Sequence, residues 1–292
     1  MSDYDSSSRK QLLGLTAYLT AAARAYESQR EDRLFDDPWA ASLAGPEGVE
    51  RFASTEDQGG SIIVRTRYFD EWLQQITYKE GLRQIVLPAA GLDTRPFRLN
   101  WPPATRFFEL DQAPILSYKE AVLQALQAQP HCERILVSTD LAQPDWTSAL
   151  LEAGFDPSTP SAWLIEGLLA YLPLEQSQQL LSAISQIAAE NSWLAFNAVH
   201  SAMLSSPLTR PRIERLARAG SPWIGPIDDP VGLLEALGWE TSFVSSAHKG
   251  YEYGRAVFPF IGLEELSPET ERLYHMLVTA KRKGPPSALA DH

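Results

Sequence analysis

From Leu12 to Tyr26 apolar side chains return every three or four positions, and this spacing predicts an amphipathic helix. Asp36-Asp37-Pro38-Trp39 then places an acid where a helix is capped and a proline in its first turn, which predicts short helices over 38–55. After Gly59-Gly60, residues 61–78 predict one longer helix carrying Arg65, Arg67, Tyr68, Phe69 and Trp72. Beyond Gly81 the rhythm changes. Apolar runs at 84–88, 105–109, 134–138, 162–166 and 192–198 predict strands, and the intervening stretches 112–127, 145–153 and 173–189 predict helices. Strands alternating with helices pair in parallel through right-handed crossovers, and strands this uniformly apolar are covered on both faces. Residues 200–226 break the alternation with prolines and with Arg210, Arg212, Arg215 and Arg218, so they read as an insertion over the sheet. A helix at 230–237, a strand at 239–246 and an antiparallel return at 254–260 complete the pattern, and the polar residues from Lys281 predict a flexible tail.

Composition narrows the class. A chain of 292 residues with 44% hydrophobic content can bury a large core. It divides into a helical cover over 1–60, an α/β domain over 61–281 and a tail over 282–292. The net charge of −12, without a dense run of Lys and Arg, argues against nucleic acid as a partner, because such binding depends on clustered cations that neutralise phosphates. No stretch reaches the roughly 18 apolar residues of a membrane span, and the polar start MSDYDSSSRK does not have the layout of a secretory signal, so a cytoplasmic location is expected. The lone Cys132 permits no internal disulfide and reads as a small packed thiol; no metal-ligand set is read.

In an open parallel sheet ligands lie beyond the carboxyl ends of the strands. The first such end gives Ala89-Ala90-Gly91, small enough for close backbone approach, then Asp93 and Arg95, which could equally pair with each other. The second gives Glu109 and Asp111; Asp111 is favoured, at the spacing from Gly91 where an acid meets a ribose diol. The third gives Asp140 and Leu141, with an Asx turn as the plainer role for Asp140, and the fourth gives Glu166, too costly to bury without a cationic partner. A row of carboxylates repels phosphates and suits hydroxyls, amines and a cation. The single glycine of the first turn also lacks the cradle a pyrophosphate needs. An adenosine carrying a sulfonium, S-adenosylmethionine, fits better than a dinucleotide, and Arg65 or Arg67 could meet its carboxylate.

The strings RTRYFDEWL, VLPAAGLDTRPFRL, FFELDQAPILSYKEAVL, STDL and WLIEGLLAYLP occur in that order, and together they closely resemble the leucine carboxyl methyltransferase-like family of S-adenosylmethionine-dependent O-methyltransferases. The resemblance runs from about Arg33 to Leu172. It implies a Rossmann-like class I methyltransferase fold: a seven-stranded, mostly parallel sheet with one antiparallel strand, helices on both faces and an N-terminal helical cover. It also implies Gly91 against the methionine part of the cofactor, Asp111 on the ribose, Asp140 on the adenine amine with Leu141 beside the ring, and Glu166 near the methionine amino group. Arg65 or Arg67 would hold the cofactor carboxylate, and a basic residue of the cover would correspond to Arg30 or Arg33. The family's usual glycine is replaced by Ala89, which implies a narrower cradle.

Methyl transfer is an in-line displacement, so alignment in a dry pocket matters more than acid-base chemistry. A carboxylate acceptor is ionised at pH 7 and needs no base, whereas a hydroxyl acceptor would call on a residue such as His200 or Tyr171. The expectation is methylation of a carboxylate, less readily a hydroxyl, on a small molecule such as a polyketide-type metabolite, with Arg210 and Arg212 as candidate substrate anchors. Methylation of a protein's terminal carboxylate, a non-catalytic cofactor-binding module and a nicotinamide-dependent oxidoreductase stand as alternatives. The sequence leaves the oligomeric state open.

Overall fold

The computed structural model describes residues 3–53, 55 and 58–283. Its first helices are α1 (Asp3–Ser28), α2 (Ala40–Ala53) and α3 (Gly60–Tyr78). Small side chains let α1 and α2 pack closely: Ala21, Ala22, Leu43 and Ala44 form a core with Leu92 and Phe97, which lie beyond the first strand. Asp37 does not simply cap the next helix as the sequence predicts. One carboxylate oxygen accepts from the Trp39 N–H at 3.3 Å, while the other is drawn to Arg24 at 2.8 Å and Thr94 at 2.6 Å.

The alternating region supplies β1 (Gln84–Pro88), α4 (Arg95–Arg98), β2 (Arg106–Asp111), α5 (Ala113–Ala125), β3 (Glu133–Ser138), α6 (Trp146–Glu152), β4 (Ser161–Ile165), α7 (Leu174–Ile187) and β5 (Trp193–Ala198). The chain continues through α8 (Ser201–Ser205), α9 (Arg210–Arg218), α10 (Pro230–Glu235), β6 (Trp239–Ser245), α11 (Ser246–Glu252), α12 (Pro268–Glu271) and β7 (Met276–Arg282). The seven strands form one sheet in the order β3-β2-β1-β4-β5-β7-β6, in which β7 alone runs against the rest. This is the Rossmann-like class I methyltransferase arrangement that the resemblance implies.

Strand periodicity divides the core. Val86, Phe108, Trp163, Phe196 and Val278 face α7 through Leu180, Leu181 and Ile184. Ile85, Leu87, Phe107, Leu164, Ala195 and Leu277 face α3 through Phe69, Leu73 and Ile76.

The antiparallel return is not at 254–260. That stretch is irregular and carries Pro259, which would remove a ladder donor from a strand flanked on both sides; the proline-free Met276–Arg282 takes the place between β5 and β6 instead. The predicted tail therefore starts too early. Lys281 and Arg282 belong to β7, their stems lying over Trp193 and Trp239, and the Arg282 N–H donates to Ser192 at 2.8 Å. Residues 284–292 of that tail lie outside the described residues. The insertion at 200–226 folds as α8, α9 and a loop whose Ile224 and Gly225 N–H groups donate to the Ala170 carbonyl at 2.8 and 3.1 Å. It is thereby fastened to the chain leaving β4, near the carboxyl ends of the parallel strands.

Candidate functional site

The turn after β1 brings backbone close to the end of β2. Gly91, at φ 51°, donates its N–H to Asp111 Oδ2 at 2.6 Å, and Asp111 Oδ1 accepts from the Gln112 N–H at 2.7 Å. Burial raises the Asp111 carboxyl above the ordinary Asp value, against the pull of these two N–H groups. A half-buried acid of this kind gains from further hydroxyl donors. Ala89 adopts the left-handed backbone that favours glycine, with φ 55°, and its methyl packs against the core. The replacement therefore strains the turn and does not narrow the cradle with its methyl. Helix α1 lies directly above: a Cβ on Gly91 would meet Ala17 at 3.7 Å, and Arg24 donates to the Leu92 carbonyl at 2.6 Å.

Glu166, just beyond β4, has partners within the chain. It accepts from Arg65 Nε at 2.9 Å and from Arg95 Nη2 at 2.8 Å, so the cation expected from a cofactor is supplied by two arginines. Arg95 is 1% exposed and is the hub of the site, also pairing with Asp70 at 2.7 Å and with Asp93. Arg98 grips Asp70 with two nitrogens at 2.5 and 2.7 Å. Burial favours the neutral form of Asp93, but Arg95, Lys119, Arg98 and Arg24 outweigh it and hold the carboxyl below its usual range. Asp93 is thus a partner of Arg95, with one oxygen also accepting the Arg95 N–H at 2.7 Å, and the expected cofactor contact is replaced by this pair. The sequence reading missed Asp70, Arg98 and the reach of Arg95. The signal was present: these charges sit among apolar neighbours on stretches that the periodicity buries.

Of the two candidate arginines in α3, Arg65 points to the strand ends and Arg67 does not. Arg67 pairs with Glu71 at 2.8 Å and donates to the Leu34 carbonyl. Gly167, at φ 72°, takes the left-handed backbone that favours glycine and lies beside Arg65, whose Nη2 a Cβ there would meet at 2.9 Å. Glu109 is fully buried against Lys119 at 2.8 Å and Arg134 at 2.6 Å, which leaves Asp111 as the acid at that end. Asp140 forms the Asx turn, accepting from the Ala142 N–H at 3.1 Å, and Leu141 packs at the edge of the core beside it.

His200 is a helix cap. Its Nδ1 accepts from the Ala202 N–H at 3.0 Å and lies 3.5 Å from Asp228, so the lone pair expected to act as a base is occupied. Tyr171 stands edge-on to Trp223. Arg210 is exposed on α9, whereas Arg212 reaches Ser61 at 3.3 Å and lies over Phe258. Arg30 pairs with Asp32, and Arg33 reaches the Arg30 carbonyl; among the described residues, the cover arginine that touches the turn is Arg24. Cys132 is part-buried, and burial first, then Glu109, pushes its thiol up to about 12, away from the thiolate form.

Comparisons with known proteins bear on the family and the fold. The sequence profile described as leucine carboxyl methyltransferase matches residues 17–185. An inferred S-adenosyl-L-methionine-dependent methyltransferase of Streptomyces coelicolor is 40% identical over 258 residues, covering 82% of this chain and 87% of that protein. Another from Saccharopolyspora erythraea is 44% identical over 208 residues, covering 67% and 72%. Among solved structures, a DUF574 family protein from Streptomyces avermitilis superposes with a TM-score of 0.60 at 15% identity, covering 90% of this chain and 96% of its own, which shows a shared fold.

Proposed function

The chain belongs to the leucine carboxyl methyltransferase family and is an S-adenosylmethionine-dependent methyltransferase, and from that premise we propose that it methylates a carboxylate oxygen of a small molecule. A polyketide-type acid is the acceptor class carried forward from the sequence. Gly91 and Asp111 would hold the methionine and ribose parts of the cofactor, Asp140 and Leu141 the adenine, and Arg65 the carboxylate. The observation that carries the cofactor assignment is the pairing of Gly91 with Asp111, a bare backbone turn beside a carboxylate whose ionised form lacks solvation. When bound, S-adenosylmethionine supplies a methyl group on a sulfonium.

The chain's own residues orient and shield. Arg95 and Arg65 neutralise Glu166, so the pocket keeps a fixed charge pattern that needs little rearrangement during transfer. α1 lies over the Gly91 turn, and the loop at 219–229 is tied to Ala170. The occupied lone pair of His200 favours an acceptor that arrives already ionised, and Arg212, beside Ser61 on α3, supplies positive charge for it.

Calorimetry with S-adenosylmethionine tests the cofactor site. Asp111→Ala should weaken binding by about tenfold to a hundredfold, since a hydrogen bond to a charged group is lost; unchanged affinity would sink the assignment. Release of S-adenosylhomocysteine with phenols or alcohols, and with none of a panel of carboxylic acids, would overturn the carboxyl reading.

A further inference from the structure

β5 and β7 bring together Asn197 and His275, two buried side chains absent from the sequence-based candidates. Their contacts fix the imidazole tautomer. The Gly167 N–H can only donate, and it meets Asn197 Oδ1 at 2.7 Å, so the amide turns Nδ2 toward His275. Nδ2 in turn can only donate, and it lies 3.3 Å from His275 Nδ1. Nδ1 is therefore an acceptor and the ring proton sits on Nε2. Among the described residues that N–H has no hydrogen-bond partner.

The ring is held rigidly. Trp223 stands edge-on to it, with centroids 5.3 Å apart, and Trp223 is itself met edge-on by Tyr171. Among the described residues the Trp223 indole N–H is buried without a partner. Burial, then Arg65 and Arg212, push the His275 pKa down to about 3, so the ring stays neutral and does not serve as a base. What it offers is a permanent donor linked through Asn197 to the Gly167 turn, which itself lies against Arg65.

We infer that His275 is a binding residue for the methyl acceptor, its Nε2–H taking one oxygen of a carboxylate near the Gly167 turn. This rests on the carboxyl transfer proposed above and names the group that orients its acceptor. A carboxylate held through one oxygen presents the other as nucleophile, and a neutral donor withdraws less charge from it than a cation in its place would. A hydroxyl acceptor gains nothing comparable, because a ring that accepts at Nδ1 and donates from Nε2 has no free lone pair to take its proton.

The test uses the full chain, with acetate as probe. Long-range ¹⁵N spectra should show His275 protonated at Nε2 and not titrating between about pH 5 and 8. Acetate should move the Nε2 resonance, with and without S-adenosylhomocysteine. Calorimetry should show acetate affinity falling about tenfold in His275→Phe and largely kept in His275→Gln, whose amide nitrogen can replace Nε2. S-adenosylhomocysteine affinity should be unchanged in both variants. A proton on Nδ1, or an Nε2 resonance that acetate leaves still, overturns the inference even where S-adenosylhomocysteine binds. Failure of S-adenosylhomocysteine to bind the unaltered protein would instead overturn the cofactor reading.

Discussion

Asp93 and Arg95, two residues apart, show what a single position discloses. Their mutual pairing was legible, since adjacent opposite charges beside a turn commonly meet, but the partners of Arg95 lie 25 and 71 residues away at Asp70 and Glu166. Only folding selects those. The lowered Asp93 carboxyl has a sign that can be checked. Its contribution to stability is complete above the ordinary Asp value of about 3.9 and is lost as pH falls through the lower folded value. Thermal melts of Asp93→Asn should therefore show a lower stability at neutral pH and a shallower loss on acidification below about pH 4 than the parent shows. Ala89 gives a second prediction. An L-residue in the left-handed region costs about 1–2 kcal/mol, partly offset because glycine loses more entropy on folding, so Ala89→Gly should stabilise the chain by up to about 1 kcal/mol in chemical denaturation.

At the scale of elements, most of the sheet could be read from apolar periodicity, because strands buried on both faces leave little else to place. The exceptions have local causes: Pro259 disqualified one predicted strand, and β7 ends in Lys281 and Arg282, which look like tail residues until their stems cover two tryptophans. The cover was also predicted, but its fastening was not. Glu27, fully buried at the end of α1, is gripped by Arg255 at 2.7 Å across more than two hundred residues. Removing one partner of a buried pair leaves an uncompensated charge, so Arg255→Ala should cost about 3 kcal/mol in equilibrium unfolding. Hydrogen exchange should rise first near residues 24–34, where that contact ends.

For the molecule as a whole, a charge of −12 surrounds a site meant for a cationic cofactor. Long-range attraction of this kind is screened by salt, so the association rate of S-adenosylmethionine should fall as ionic strength rises, while dissociation changes less. Stopped-flow fluorescence would measure both. The proposed cofactor residues could be named from sequence because they lie at the ends of successive strands within one stretch. The proposed acceptor side could not, since it gathers Tyr171, Asn197, Arg212, Trp223 and His275 from separate segments.

The order β3-β2-β1-β4-β5-β7-β6 has an evolutionary reading. The strands that carry the proposed cofactor residues occupy one flank and come first in the chain, while those beside the proposed acceptor residues occupy the other and follow residue 187. Recombination at that one junction could exchange most of what the acceptor meets, Tyr171 excepted, while keeping how the enzyme is supplied, an opportunity for a lineage to diversify its products without rebuilding its engine.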